Sequence, residues 1–130
     1  MKSEDLKRRT KQFALRVIRM TDSLPRRMSA DVLGRQVLRS ATSVAANYRA
    51  ACRGKSKADF IAKLAPAEEE ADETVFWFEM IAESELLPAA KLAELRREAN
   101  ELTAIAVSSI RTTRRSLANS QSAVRNPKSA

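Results

Sequence analysis

The stretch from Arg35 to Leu64, RQVLRSATSVAANYRAACRGKSKADFIAKL, decides the fold. At about 100° per residue, Leu33, Val37, Ala41, Val44, Tyr48 and Ala51 fall within roughly 40° of one line, which makes them the core face of an amphipathic helix. About 160° away, Arg35, Arg39, Thr42, Ala46, Arg49 and Arg53 recur at helical spacing, so their side chains stack into a ridge of guanidinium groups. A third stripe, Gln36, Ser40, Ser43 and Asn47, lies about 90° to one side of the core line. Its small polar side chains would let another backbone approach closely, which marks it as a candidate subunit contact. Gly54 reads as a left-handed residue ending this helix, and Ser56-Lys57-Ala58-Asp59 resembles a capping box that starts the next one at Ser56. So short a turn makes the two helices antiparallel neighbours.

Working outward, the N-terminal side predicts a helix from about Ser3 to before Pro25, with Leu6, Thr10, Phe13, Val17, Met20 and Leu24 as a three-four seam that Ala14 and Ile18 widen. Ser29 is the expected cap of the helix over 30–53. On the C-terminal side, Leu64, Ala67, Ala71, Thr74, Phe78 and Ala82 share a core face with Phe60, interrupted at Pro66, which should kink the helix or split it in two. Phe76, Trp77 and Met80 sit away from that face among Glu69, Glu73, Glu79 and Glu83. They form either an outward interaction patch or, if Pro66 rotates the helix, part of the core. After Pro88 a fourth helix follows Leu92, Leu95, Ala99, Leu102, Ala106 and Ser109, with Ile105 and Ile110 alongside, and should fade near Leu117. Its last turns carry Arg111, Arg114 and Arg115, suited to the negative end of a helix dipole or to phosphates. Residues 118–130 are polar and read as a disordered tail. The expected architecture is all-α, an antiparallel up-down four-helix bundle over residues 1–117.

With 130 residues the chain has room for one hydrophobic core. Its net charge of +8 is unevenly placed: residues 1–63 carry sixteen Lys/Arg against five Asp/Glu, 64–105 carry three against eleven, and 106–130 carry five against none. Such asymmetry points to an acidic partner, nucleic acid above all, or to copies of the chain meeting positive face to negative face. The charged start MKSEDLKRRTKQF and the lack of any apolar run near about 18 residues predict a cytoplasmic protein with no membrane partner.

Chemistry is constrained by what is missing. There is no histidine, which removes histidine triads and Glu-x-x-His di-iron sites, and the single Cys52 reads as a small packed side chain. No glycine-rich phosphate loop is present. The run Glu68, Glu69, Glu70, Asp72, Glu73 points around its helix and not into one site, so it reads as a solvated or subunit-facing surface. Neither an enzyme nor a cofactor or metal is expected. The sites that remain are a candidate nucleic-acid surface and a candidate oligomer interface. The first comprises Arg35, Arg39, Arg49, Arg53, Lys55, Lys57, Arg111, Arg114 and Arg115. The second comprises Phe76, Trp77 and Met80 with Gln36, Ser40, Ser43 and Asn47. A solvated ridge, or ion pairs to the carboxylates of a neighbouring subunit, is the competing account of the arginines.

The runs QVLRSATSVAANYRAACRGKSKADFIAKL and EEEADETVFWFEMI resemble the bacterial four-helix-bundle proteins grouped with the 23S rRNA intervening-sequence proteins, to which the accessory variability protein of diversity-generating retroelements is related. The similarity spans Leu6 to Leu117 and rests on Gln36, Arg39, Ser40, Ser43, Asn47, Arg53, Ser56, Phe60, Leu64, Glu70 and Glu73. Where many members read Asn-Ile-Ala-Glu-Gly, this chain has Asn47-Tyr48-Arg49-Ala50-Ala51. The resemblance implies a homo-oligomer, a pentamer being its expected form, and RNA or DNA as partner. For a retroelement-linked member it also implies a reverse transcriptase. It brings no catalytic residues.

Overall fold

A computed structural model of the protein describes residues 3–125. Four helices make up the chain: α1 Ser3–Asp22, α2 Met28–Cys52, α3 Lys57–Glu83 and α4 Ala89–Arg125. Each helix packs on its neighbours in chain order and α4 closes on α1, while the backbones of the diagonal pairs α1/α3 and α2/α4 stay more than 8 Å apart among the described residues. This is the up-down bundle that the periodicity requires. No helix among the described residues is long and apolar enough to cross a membrane.

The core follows the seams. Leu6, Phe13, Val17 and Met20 of α1 meet Val37, Ala41, Val44, Tyr48 and Ala51 of α2, Leu64, Ala67, Ala71 and Phe78 of α3, and Leu92, Leu95, Ala99, Leu102 and Ala106 of α4. At its centre Phe13 and Phe78 meet edge to face with ring centroids 6.4 Å apart. Ile81, not Ala82, completes the α3 face, and Ile110, not Ser109, completes that of α4. In each case the larger apolar residue a position away takes the buried place, because burying it removes more area from water. Cys52 is half-buried against this core.

Several boundaries differ from the sequence-based expectation. Arg27 is the N-cap of α2, without a side-chain cap, and Ser29 lies inside the first turn. Gly54 does not have positive φ. A Cβ there would lie 3.0 Å from the Ala51 carbonyl oxygen and 3.1 Å from the Phe60 amide, so glycine is favoured by the close approach of these two backbones and not by handedness. The left-handed residue is Glu85, φ 60°, in a Schellman turn where Leu86 N–H donates to the Ile81 carbonyl (3.1 Å) and Glu85 N–H to that of Ala82 (3.0 Å). Helix α3 starts on Ser56, whose hydroxyl accepts from Asp59 N–H at 3.0 Å, and Asp59 in turn accepts from Lys55 N–H at 3.0 Å.

Pro66 sits inside α3 without splitting it. It removes the N–H that the Ala62 carbonyl would accept, and Ala62 is exposed, so water can take that place. Helix α4 runs eight residues past Leu117, so 118–125 are helix and not a disordered tail; the expectation for 126–130 falls outside the described residues. Two outcomes are expected. Pro66→Ala restores one helical hydrogen bond and raises stability by about 1–3 kcal/mol in urea unfolding; a loss of stability would show that the ring contributes packing that outweighs it. Asp59 is held below the ordinary carboxylate range by the Lys55 amide and then by Lys63. A depressed folded-state pKa stabilises above the unfolded value and loses that contribution as pH falls, so protection of the Lys55 amide should decline below about pH 4 in hydrogen exchange, and Asp59→Asn should flatten the decline.

Candidate nucleic-acid interface

The arginine ridge of α2 does not act as one surface. Near the α1–α2 corner, Arg35 reaches Asp31 one turn back, Nη2 to Oδ2 at 3.2 Å. Arg39 crosses to α3, where Nη1 lies 3.1 Å from Glu70 Oε2 and Nη2 bonds Glu73, while its Nε donates to Gln36 Oε1 at 3.3 Å. The carboxylates that the sequence left facing a neighbouring subunit are therefore partly neutralised within the chain. The same holds on the other side of the bundle, where Arg9 forks onto Glu98, Nε to Oε2 at 2.8 Å, and also bonds Glu101. Hydrogen bonding to Glu98 in particular holds the Arg9 guanidinium above its ordinary pKa.

The far half of the ridge is different. Arg49 and Arg53 are exposed near the end of α2, Lys55 and Lys57 are exposed in the turn and at the start of α3, and Arg111, Arg114 and Arg115 are exposed on α4. The up-down topology brings all of them to one end of the bundle. Lys57 Nζ donates to Ser116 Oγ at 2.7 Å, which ties the turn to α4 and sets its level. Among the described residues the arginines named here make no ion pair within 4 Å, whereas two carboxylates of this end, Glu4 and Asp59, pair with Lys7 and Lys63. The three α4 arginines lie well inside a helix that continues to Arg125.

At the same end the structure holds an open groove of about 580 Å³ whose walls include Ser3, Tyr48, Phe60, Ser108, Ser109 and Thr112. Ser108 and Thr112 lie on the same face of α4 as Arg111 and Arg115, one turn apart at each step. Sequence reasoning did not single out these hydroxyls. The signal was there in the spacing of Ser108, Thr112 and Ser116, but only the bundle shows that the first two border a groove.

The oligomer candidates divide as well. Phe76 and Met80 are 49% and 39% exposed. Trp77 is half-buried, stacked edge-on against Phe76 at 4.9 Å, with its indole N–H donating to Glu73 at 3.0 Å. The kink that would have buried all three is not needed. Ser40, in contrast, is fully buried on the α2–α3 seam, 2.8 Å from the Thr74 hydroxyl, with Gln36, Ser43 and Asn47 half-buried on the same stripe. At Ser40 the backbone that this stripe admits is α3 of its own chain, which takes Ser40 out of the candidate subunit contact. Among the described residues no group of His, Cys, Asp or Glu could hold a metal ion.

The model of the 23S rRNA-intervening sequence protein family matches residues 2–108. No curated protein matches the chain. A protein of unknown function from the S23 ribosomal protein family of Bacteroides thetaiotaomicron VPI-5482, solved at 1.70 Å resolution, is similar to it at 32% identity and a TM-score of 0.79, over 85% of this chain and 99% of that one. Helices α1 to α3, the motif-bearing α2–α3 turn and α4 as far as residue 108 lie within the matched residues, and the chain belongs to the 23S rRNA-intervening sequence protein family.

Proposed function

We propose that this chain is a non-enzymatic, homo-oligomeric nucleic-acid-binding accessory protein that grips the sugar–phosphate backbone of structured RNA at one end of its bundle. The observation that carries this reading is the convergence of Arg49, Arg53, Lys55 and Lys57 with Arg111, Arg114 and Arg115 across the Lys57–Ser116 bond. Arginine forks match phosphate oxygens, and hydroxyls such as Ser108 and Thr112 bond phosphate or 2′-hydroxyl groups. With Tyr48 buried and Phe60 half-buried, this end offers no exposed aromatic platform among the described residues, which favours backbone contacts over stacking on unpaired bases. The family name, with its link to an rRNA insert, favours RNA over DNA.

A second reading, an assembly protein that binds other proteins through its charged faces, draws on the exposed Phe76 and Met80. The two separate in a titration of a structured rRNA fragment and of duplex DNA across a salt series, with molecular mass measured in the same buffers. RNA affinity should fall steeply with salt while the mass stays constant. Arg53→Glu with Arg114→Glu should weaken binding by about tenfold or more and lower the salt slope by roughly 2. Arg39→Ala should leave RNA affinity unchanged, because that guanidinium faces Glu70 and Glu73. An intact protein that ignores RNA at low salt would refute the nucleic-acid reading and favour the assembly one.

A further inference from the structure

Helix α4 outruns α1 on the side where the two pack. Arg9 reaches Glu98 and Glu101, and the antiparallel α1 begins six residues earlier at Ser3, so Ser3 stands about 9 Å further along α4, six residues on from those glutamates at 104–107. Ser3 and Ile105 accordingly line one groove. Because α4 continues to Arg125, the described part of α1 covers none of it from Ser108 onward. At about 100° per residue, Ser108, Thr112 and Asn119 fall within roughly 40° of one line, and all three are exposed. Arg115 and Arg111 follow on one side of that line. On the other side, about 40° beyond Thr112, Ser116 holds the ammonium of Lys57 at 2.7 Å, with Arg53 and Lys55 exposed in the adjoining turn. Thr103 and Thr113 turn their hydroxyls back onto the carbonyls of Ala99 and Ser109, whereas among the described residues those of Ser108 and Thr112 have no such partner.

We propose that this side of α4 docks in the minor groove of double-stranded RNA, its neutral stripe on ribose hydroxyls and the two flanking sets of cations on the phosphates of the two strands. The proposal rests on the nucleic-acid reading above and names the form of RNA that this end of the bundle takes. Charge complementarity selects a polyanion, and the order of the side chains selects its shape. Cations, short neutral hydrogen-bonding groups and cations again match the succession of phosphates, 2′-hydroxyls and phosphates across an A-form minor groove.

Groove dimensions separate this occupant from its rivals. The A-form minor groove is wide and shallow, so a helix about 10–12 Å across, with short side chains on its inward face, lies against it. The RNA major groove is too deep and narrow for side chains to read. In B-form DNA the minor groove, about 6 Å wide, excludes a helix, and the major groove that admits one shows base edges and no ribose hydroxyl. A single strand supplies no second row of phosphates for the second flank. Its bases also find no exposed aromatic side chain at this end among the described residues. Contacts to ribose and phosphate carry no base sequence, so the docking selects a helical form and not a sequence.

The test is fluorescence anisotropy of the purified full chain with four probes: an RNA duplex of about 20 base pairs, the DNA duplex of the same sequence, one RNA strand alone, and the RNA duplex with 2′-O-methyl riboses. The unmodified RNA duplex should bind at least about tenfold tighter than each of the others, and equally well when its sequence is scrambled. Ser108→Ala, Thr112→Val and Asn119→Ala in one chain should weaken RNA-duplex binding by about tenfold and remove most of its advantage over DNA. The salt slope should stay that of the wild type, because no cation is lost. Arg111→Glu with Arg115→Glu should instead lower that slope by roughly 2. Circular dichroism separates lost contacts from lost helix, and the 2′-O-methyl duplex probes the same contacts without altering the protein. A single strand, a DNA duplex or a 2′-O-methyl duplex bound as tightly as the unmodified RNA duplex would overturn the proposal, as would a helical triple variant with undiminished preference. Each of these leaves the cationic end as a phosphate-binding surface. A chain that ignores all four probes at low salt would overturn both this inference and the nucleic-acid reading beneath it.

Discussion

Close approach of α2 and α3 is the constraint on which the rest of the molecule depends. Ser40, Ala41, Ala67, Ala71 and Thr74 are all buried, and small side chains let the two backbones come near enough to make this the most extensive helix contact in the protein. The buried hydroxyls do not disturb it, since Thr74 also reaches the Glu70 carbonyl at 2.7 Å and Ser40 that of Val37 at 3.2 Å. With α2 and α3 fixed, the large residues Phe13, Phe78, Leu64 and Leu92 fill the space on the other side of the seam, where α1 and α4 make the sparsest contact of the neighbouring pairs. Arg39 closes the outer edge of the seam through Glu70 and Glu73. Ion pairs at this degree of exposure contribute little to stability, and their value here is in aligning helices that the apolar seam already holds.

Most of this was legible as periodicity. Three-four spacing located every helix and nearly every core residue, because burial of an apolar face contributes most to the stability of a bundle and leaves a regular mark. What could not be read was anything set by a second helix. Ser40 looks like a surface residue on its own wheel and becomes core only because Thr74 faces it. Arg39 belongs to a ridge by spacing and to α3 by contact. Gly54 is explained by the first turn of α3 pressing against it, which no local signal carries. Pro66 misled for a related reason: a single lost hydrogen bond on an exposed side is a modest cost in a helix whose other face is buried along its length. Glu85 gives no sign of its left-handed backbone, since glutamate is a poor guess for that role.

The site shows the same division. Composition and charge order pointed to a basic surface and excluded histidine, metal-cluster and phosphate-loop chemistry by residue type. Which of the cations face outward together required the topology, because Arg53 and Arg114 are sixty-one positions apart in sequence and meet at one end of the bundle only through the up-down fold. Intramolecular pairing then separates the cations into those that link helices, Arg9 and Arg39, and those without an ion pair among the described residues. The chain's positive charge is thus not a diffuse property. It is sorted by the fold into a set paired between helices and a terminal set.

The eight residues that α4 adds beyond Leu117 bear on the terminal set in a way their own polar sequence does not suggest. Helix ends fray over their last turn, and the half-negative charge of the macrodipole sits on the last free carbonyls. Were α4 to stop near Leu117, Arg114 and Arg115 would occupy that fraying turn, drawn back onto its carbonyl oxygens. Continuing the helix for about 12 Å moves both the disorder and the negative pole away. The overhang thus works as a splint: it leaves Arg111, Arg114 and Arg115 at rigid helical spacing, with their guanidinium groups free of the duty of capping.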